Sequence, residues 1–373
     1  MRIGILTYWT SLENYGQILQ LYALYTYLKT QGHDVFVIKY DGYGDNSLDR
    51  SLRERLKNLL VNPLKLLTYL RQLYKERIIQ ADLSAHDCEF RRFKEQHFQW
   101  SRLYHSYADL RDDPPKADIY ICGSDMIWGA NANRYKAFFL GFGGDQIKRI
   151  AYAPSFGSGK VSDSYLEKIK PYLDKFDLIS TREESGRDIC RQLGFRDARW
   201  FPDPTSLLSA KDYMDLSSCS PRKNPYVFMY LMGHPTSVPF RAIKEFAETR
   251  NLKIIYRASQ GRRDKWPKLY PTIEEWIGCV SQAEYIITNS FHGCMFALIF
   301  KKKFLFIPLI RGAKHGNDRI CSLLKKLHLT DRIWKGNIGV LENDINYIPV
   351  DKEMNAWIMN AKDTLNKHLQ ENI

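Results

Sequence analysis

The chain has 373 residues, enough for two domains, and 44% of them are hydrophobic, so packed cores are expected rather than broad disorder. Its formal net charge of +13 indicates an anionic partner: a nucleic acid, a membrane surface, or a phosphorylated or carboxylated small molecule. The charge is scattered along the chain, and the sequence has no zinc-finger spacing, RNP-like aromatic run or G-x-x-x-x-G-K-S/T phosphate loop. These features disfavour nucleic acid and favour a membrane surface or a small anion.

Cysteine usage and hydropathy indicate the compartment. The seven cysteines are dispersed and form no C-x-x-C pair, which is typical of buried thiols in a reducing compartment. The N-terminus enters a strand at once, with no cleavable secretory signal, and no run of about eighteen apolar residues is present. A cytoplasmic protein without a membrane-spanning segment is therefore expected.

The chain opens with a βαβ unit. Residues 2–7 and 33–40 are predicted as strands, and residues 18–29 as the helix between them. The unit is of Rossmann type but lacks G-x-G-x-x-G, so it gives no support to dinucleotide binding.

A polar loop is predicted at the ligand end of the first strand. We interpret it as a candidate acceptor-binding loop, and a plain tight turn is an equally good interpretation. The loop contains four candidate residues: Asn14, Tyr15, Gly16 and Gln17.

A helical insertion is predicted at about residues 48–100. In residues 51–80 leucines recur at helical spacing beside a basic face, and Asn62–Pro63 divides the segment into two helices. Residues 82–100 are also predicted to be helical. A leucine face beside a basic face fits a helix lying on an anionic membrane, although ordinary packing on its own domain is the favoured interpretation.

Polar side chains follow two later strands of the first half, predicted at residues 117–122 and 178–182. Ligands of open α/β sheets bind outside the carboxyl ends of the strands. Ser124 and Asp125 follow the first of these strands, and Asp125 is either a base, a ligand of an acceptor hydroxyl, or a cap. Arg182 ends the second strand and is predicted either to point into the same crevice or to form a salt bridge with an acid.

In the second half, residues 285–308 are predicted as strand, turn, helix and strand, a βαβ crossover of a parallel sheet. The turn lies at the positive N-terminus of a helix and is suited to holding an anion. The alternative is that Asn289 or Ser290 only caps this helix and His292 packs. The turn supplies four candidate residues: Ser290, Phe291, His292 and Gly293.

A cationic loop at residues 309–319 adds Arg311 and Arg319 as candidate donor-binding residues. The Pro202–Thr205 turn is the candidate end of the first domain. We predict an N-terminal domain at residues 1–210 that binds the acceptor, a C-terminal domain at 225–350 that binds the donor, and a terminal helix at 351–373.

Taken together, these stretches resemble the polysaccharide pyruvyl transferase family. The residues that carry the resemblance are, in chain order, ILTYWTSLENYGQILQLYAL, ICGSDMIWG, IAYAPSFG, ISTREESG, FPDPTSLL, AEYIITNSFHGCMFALIFKKKFLFIP and DRICSLLKKLHL. Two positions depart from the family pattern: many members have arginine where Ser290 stands and glutamine where Met126 stands.

The resemblance implies an α/β fold like that of the GT-B glycosyltransferases, with two Rossmann-like domains facing a cleft. It also implies transfer of the enolpyruvyl unit of phosphoenolpyruvate to two hydroxyls of one sugar, which gives a cyclic pyruvate ketal and phosphate. The sugar would belong to a surface polysaccharide, such as a capsule or exopolysaccharide, or to the lipid-linked precursor of that polysaccharide. Phosphoenolpyruvate would be a co-substrate, with no cofactor and no essential metal.

On this interpretation His292 is the general acid that protonates the methylene carbon, because imidazole has a pKa near neutrality. Arg182 is a phosphate or carboxylate clamp and Arg319 a weaker candidate clamp. Asp125 could accept a hydroxyl proton.

Two other functions remain open. One is a GT-B-type glycosyltransferase that uses a nucleotide sugar, since fold does not fix function and Ser290 departs from the family pattern. The other is a non-catalytic scaffold of a polysaccharide assembly complex at the membrane. His292 and Arg182 at two separate strand ends argue against a scaffold, which needs neither residue.

Overall fold

A seven-stranded sheet organises the first half of the chain. The computed structural model describes residues 1–46, 63–129, 134–218, 222, 224–233, 238–262, 264, 266–310 and 316–370. The strands of this sheet are β1 Arg2–Leu6, β2 Asp34–Tyr40, β3 Trp100–Tyr104, β4 Ile119–Cys122, β5 Lys148–Ala151, β6 Leu178–Thr181 and β7 Arg199–Trp200. They lie in the order β3-β2-β1-β4-β5-β6-β7, and all neighbours are parallel.

A second sheet follows in the second half. Its strands are β8 Tyr226–Leu231, β9 Lys253–Ala258, β10 Tyr285–Thr288 and β11 Lys303–Phe306. They lie in the order β11-β10-β8-β9 and are also all parallel. The central strands are apolar and buried throughout or nearly so, as expected for a parallel sheet covered on both faces. The predicted α/β class with two Rossmann-like domains is confirmed, and the proposed division at residues 210–225 falls between the two sheets.

Helices connect the strands. In the first half the described helices are α1 Tyr15–Thr30, α2 Pro63–Ala85, α3 Phe90–His97, α4 Tyr107–Asp112, α5 Tyr135–Phe138, α6 Asp163–Leu173, α7 Glu184–Gln192 and α8 Ala210–Leu216. In the second half they are α9 Phe240–Glu248, α10 Ile273–Ser281, α11 Phe291–Ile299, α12 Asp318–Lys326 and α13 Tyr347–Gln370. In the described residues, no helix has both the length and the apolar character needed to cross a membrane. The cysteines in this part of the chain are free thiols.

The two halves share a core. The aromatic ring of Tyr15 on α1 stacks on Trp276 of α10, with ring centroids 5.2 Å apart and an interplanar angle of 11°. The terminal helix α13 returns to the first sheet, where Trp357 Nε1 donates to the Trp200 carbonyl at 2.7 Å. Lys148 Nζ in turn donates to the carbonyl of His368 on α13 at 2.8 Å. This returning helix fixes one sheet against the other, and the GT-B-like arrangement predicted from the sequence is confirmed.

The start of α1 corrects the sequence analysis. The helix begins at Tyr15 and not at residue 18, because Asn14 is its N-cap and Asn14 Oδ1 accepts a hydrogen bond from the Gln17 amide at 3.2 Å. Tyr15, Gly16 and Gln17 therefore lie in the first helical turn, not in a loop. In the same way α11 begins at Phe291 because Ser290 caps it.

The helical insertion lies between β2 and β3, as predicted, but its end differs. Helix α2 is described from Pro63 onward, and residues 47–62 lie outside the described residues. Residues 82–100 are not one helix: α2 ends at Ala85, α3 follows, and Trp100 begins β3. The edge strand β3 forms because β2 supplies its hydrogen-bonding partner, which local sequence cannot show.

Candidate functional site

The candidate site lies where the switch points of the two sheets face each other. Strand β1 lies between β2 and β4, and strand β8 lies between β9 and β10. In each sheet the chain therefore adds strands first on one side of its first strand and then on the other side. Open α/β sheets bind ligands in the crevice at such points. Asn289, which follows β10, fixes the loop after β8 because its side-chain amide accepts from the Met232 amide at 2.7 Å and donates to the Met232 carbonyl at 2.8 Å.

Asp203 lies at the centre of the site. Its Oδ2 accepts from Arg182 Nη1 and from Ser124 Oγ, both at 3.1 Å, and lies 3.4 Å from His292 Nε2. Its Oδ1 accepts from the Thr205 amide at 3.0 Å and hydroxyl at 2.8 Å. The predicted convergence of Arg182 and His292, from different halves of the chain, is thus present in the structure.

Asp203 is the residue that the sequence analysis missed. The Pro202–Thr205 turn was interpreted only as a domain boundary. A carboxylate directly after β7, at the carboxyl end of a strand of the parallel sheet, was the available signal.

Arg182 directly follows β6, and its side chain is fully buried. Its Nη2 lies 3.6 Å from Asp125 Oδ1, and its guanidinium carbon lies 4.7 Å from the centroid of the Phe291 ring. The predicted alternative, a salt bridge from Arg182 to an acid, is therefore present, and the acid is Asp203. Arg182 nevertheless keeps Nε and Nη2 without a hydrogen-bond partner among the described residues.

Asp125 has a strained backbone with φ of +80°, in the left-handed region that non-glycine residues rarely occupy. Its Oδ1 accepts from the Met126 amide at 2.9 Å, and its Oδ2 accepts from Gln17 Nε2 at 3.2 Å. The structure thus brings Asp125 and Gln17 together, as strand-end reasoning predicted.

Gly16 allows α1 to approach His292. A Cβ atom at Gly16 would lie 2.1 Å from His292 Nδ1, so any larger residue would displace the imidazole or the helix. Gly293 serves a similar purpose one turn into α11, because a Cβ there would lie 2.3 Å from Thr288 Oγ1. Both glycines permit close packing at the site, and neither offers a side chain to a ligand.

The other residues of the α11 turn have separate positions. Ser290 Oγ accepts from the Gly293 amide at 3.4 Å, so the capping alternative describes Ser290. The Phe291 ring is close to two guanidiniums, that of Arg182 at 4.7 Å and that of Arg319 at 5.9 Å from its centroid. Its π face stabilises two like charges close together.

Some candidates do not reach the cluster. The Tyr15 side chain is buried, donates from its hydroxyl to the Pro271 carbonyl at 2.6 Å and accepts from Arg257 Nε at 3.1 Å. Tyr15 therefore holds the two halves together and is removed from the acceptor candidates. Asn14 caps α1, and Arg311 lies outside the described residues.

Burial and neighbouring charge shift the pKa values in opposite directions. Burial alone would raise the pKa of Asp203, but His292 and Arg182 more than offset it and hold the pKa well below its usual range. The pKa of Asp125 is likewise lowered, because Arg182 above all outweighs the effect of burial. Burial raises the pKa of Glu183, and burial together with Arg182 lowers the pKa of Arg319 to about 10. Asp203 and Asp125 are therefore the ionised acids of the site.

The buried donors exceed the hydrogen bonds that they make. Arg182 Nε and Nη2 and Arg319 Nε have no partner in the described parts of the chain, and His292 Nε2 has only the long contact to Asp203. A buried N–H group without an acceptor costs about 1–3 kcal/mol, so such a cluster is stabilised by an anion that accepts from it. The arrangement can bind a small anion of two acidic groups.

Fold and site together define a chain of two Rossmann-like domains with a cluster of buried cations and carboxylates between them. A sequence profile described as polysaccharide pyruvyl transferase matches residues 14–309, which is most of the chain. The protein belongs to the polysaccharide pyruvyl transferase family.

Comparison with other proteins adds little about function. No curated protein matches the chain. Among solved structures, the UDP-GlcNAc 2-epimerase from Neisseria meningitidis bound to UDP-GlcNAc is 10% identical at a TM-score of 0.49, with 100% of both chains covered. The UDP-N-acetylglucosamine 2-epimerase from Rickettsia bellii is 11% identical at a TM-score of 0.43, covering 99% of this chain and 96% of that chain. At these scores neither structure carries an argument about the donor.

Proposed function

We propose that the protein transfers the enolpyruvyl unit of phosphoenolpyruvate to two hydroxyls of one sugar in a surface polysaccharide or its lipid-linked precursor. Two carbon–oxygen bonds form to the sugar, and the bond between the same carbon and the phosphate oxygen breaks. In the net reaction, the proton of one hydroxyl is added to the methylene carbon, which becomes a methyl group. The proton of the other hydroxyl leaves with phosphate.

The unpartnered donors of Arg182 and Arg319 are the observation that carries this proposal. Phosphoenolpyruvate has a phosphate and a carboxylate on the same carbon, and each can accept from a guanidinium fork. Phe291 holds the two guanidiniums near one another. A donor with two acidic groups would therefore neutralise both cations, while Asp203 keeps Arg182 and His292 in place.

The remaining residues supply proton transfer. His292 acts as the general acid on the methylene carbon, since histidine is the side chain that most often transfers protons in enzymes. The carbon next to it becomes oxocarbenium-like and is attacked by the first sugar hydroxyl. Asp125, held ionised and fixed by Gln17, accepts the proton of that hydroxyl. Ser124 and the first turn of α1, apart from Tyr15, form the nearby acceptor side.

Thermal stabilisation by candidate donors tests the proposal. A ligand that binds the folded protein at 100 times its Kd adds about 2.7 kcal/mol of stability, which is readily seen as a rise in Tm. We expect phosphoenolpyruvate to raise Tm, and phosphate or pyruvate alone to raise it less. Stabilisation by nucleotide sugars with none by phosphoenolpyruvate would favour the glycosyltransferase alternative and overturn the proposal.

We further propose that the enzyme works at the cytoplasmic face of a membrane, on a lipid-linked acceptor. On α2 the apolar residues Leu70, Leu73 and Tyr74 are exposed, and exposed Arg71 and Lys75 lie on the same helix. An exposed apolar and basic helix is complementary to an anionic lipid surface.

Vesicle sedimentation tests the membrane proposal. Replacing Leu70, Leu73 and Tyr74 by glutamine should abolish binding to vesicles of phosphatidylserine and phosphatidylcholine. Glutamine at the exposed α13 residues Ile348 and Met359 is the matched control and should leave binding unchanged. Equal sedimentation of the two variants would refute the membrane contact.

A further inference from the structure

A pocket lies on the first half of the chain, beside the loop that follows β1. It has a cavity volume of about 450 Å³. Its walls include the indole rings of Trp9 and Trp100, the ring of Tyr43, and the side chains of Lys39, Asp41 and Glu95. Ligand pockets typically have this size and this mixture of aromatic walls with a few polar groups.

Two indole rings form the floor. The centroids of Trp9 and Trp100 are 5.2 Å apart at an interplanar angle of 60°, and both residues are half-buried. Lys39 Nζ lies 5.6 Å from each ring centroid. Aromatic faces carry negative partial charge, so they attract the partly positive C–H groups on one face of a pyranose ring. Carboxylate and ammonium groups around such a floor can hydrogen-bond to the sugar hydroxyls.

The pocket is connected to the candidate active site through one loop. Lys94 Nζ donates to the carbonyls of Trp9 at 3.1 Å and Ser11 at 3.2 Å, which fixes the loop against α3. The Ser11 amide donates to Gln17 Oε1 at 3.1 Å, and Gln17 Nε2 donates to Asp125. Burial, then Arg91 and Lys39, lower the pKa of Lys94 to about 8, consistent with a lysine that serves as a buried support.

The length of this loop limits the separation of the two sites. The five peptide steps from Trp9 to Asn14 can span at most about 18 Å when fully extended. Asn14 caps the helix whose first turn touches His292 and Asp125. The pocket is therefore within reach of a short oligosaccharide whose terminal sugar lies in the active site.

We propose that the Trp9–Trp100 pocket binds a neighbouring sugar residue of the acceptor oligosaccharide, a subsite beyond the sugar that receives pyruvate. This inference rests on the proposed function for the role of the bound sugar, but saccharide binding itself needs no donor. The subsite would make the enzyme prefer an oligosaccharide to a single sugar.

Binding to an array of di- to hexasaccharide fragments of surface polysaccharides, without phosphoenolpyruvate, tests the pocket. The unmodified protein should bind at least one fragment, and Trp100→Ala should weaken that binding tenfold or more in a solution titration. Trp100→Phe should retain most of it, because a ring remains. Tyr43→Ala, at the exposed rim, is a second variant that cannot disturb the core and should also weaken binding.

The control is Met214→Ala, an exposed apolar residue on α8 outside the pocket, which should bind like the unmodified protein. Failure of the unmodified protein to bind any fragment, or unchanged binding by Trp100→Ala and Tyr43→Ala, would overturn the inference. Saccharide binding without phosphoenolpyruvate-dependent phosphate release would instead refute the proposed function and leave the pocket in place.

Discussion

The two sheets contribute different charges to the site. The first supplies the ionised acids Asp125 and Asp203 together with Arg182, whereas the second supplies His292 and Arg319. In the first half Asp203 has each oxygen occupied, but the cations keep unpartnered donors. The comparison shows that Asp203 positions Arg182 and His292 and leaves other donors of the cations without a partner among the described residues. The complete site exists only when both halves are docked.

Removing the imidazole should have the largest effect on catalysis. His292→Gln should lower the rate of phosphate release from phosphoenolpyruvate by about 10²–10⁴, the usual contribution of a general acid. Binding of phosphoenolpyruvate should change much less. The assay uses acceptor glycan extracted from the source cells. His328→Gln, an exposed histidine of the same half, is the matched control, and near-normal turnover by His292→Gln would refute its role.

Neutralising the central acid should destabilise the fold. Asp203→Asn removes the closer acid of Arg182 and the acid beside His292, leaving Arg182 only its longer contact to Asp125, and breaking a buried ion pair costs about 3–5 kcal/mol. The free energy of unfolding, measured with urea at pH 7, checks the loss. Asp113→Asn, in an exposed ion pair with Arg102, should cost under about 1 kcal/mol.

The same pair predicts a pH dependence. The folded pKa of Asp203 lies below its unfolded value of about 3.9, so its stabilisation is present above that value and is lost as pH falls through it toward the folded pKa. Urea titrations between pH 7 and pH 3 should therefore show a shallower acid-side decline in Asp203→Asn than in the unmodified protein. Identical slopes would contradict the ionised state of Asp203.

Replacing the guanidinium of Arg182 by an ammonium group should weaken the binding of phosphoenolpyruvate. Arg182→Lys removes the Nε and Nη2 donors and leaves a point charge, and one lost charged hydrogen bond costs about 1.5–3 kcal/mol, or roughly 10- to 100-fold in Kd. Calorimetric titration with phosphoenolpyruvate measures the change. Arg187→Lys, in a partly exposed ion pair with Glu184 and Asp188, is the control with unchanged Kd. Equal affinities for both variants would remove Arg182 from the donor site.

The smallest expected effect on stability comes from the contact between Gly16 and His292, which joins the two halves. Alanine in place of glycine normally favours a helix by about 0.5–1 kcal/mol, but the Gly16→Ala methyl would collide with His292 and should instead destabilise the protein by about 1–3 kcal/mol. In the His292→Ala background this penalty should largely disappear. The double-mutant cycle, measured by urea unfolding, isolates the coupling. Additive effects would mean that the two residues do not touch.

Much of the fold could be predicted because the local signals are strong. The strand, helix and strand predicted at residues 285–308 are present as β10, α11 and β11. The strand β3 was missed because Trp100–Tyr104 is partly exposed and gains its conformation from pairing with β2. The predicted start of helix α1 lies too far along the chain, because the prediction places Asn14 in a loop and not at the N-cap.

The site was predictable in part for a related reason. Strand ends pointed to Arg182, Asp125 and His292, but chain order cannot show that they meet at Asp203. The sequence also could not separate Tyr15, whose ring turns into the shared core, from Gln17, which turns toward Asp125. Adjacent residues in one helical turn face different sides, and only packing decides which side faces the ligand.

A crystal structure of the protein with phosphoenolpyruvate tests the central claim most directly. The account predicts that the phosphate and carboxylate accept from Arg182 and Arg319, with His292 Nε2 facing the methylene carbon. A donor bound elsewhere, or bound to only one of the two halves while Arg182 and His292 remain out of contact with it, would contradict the account.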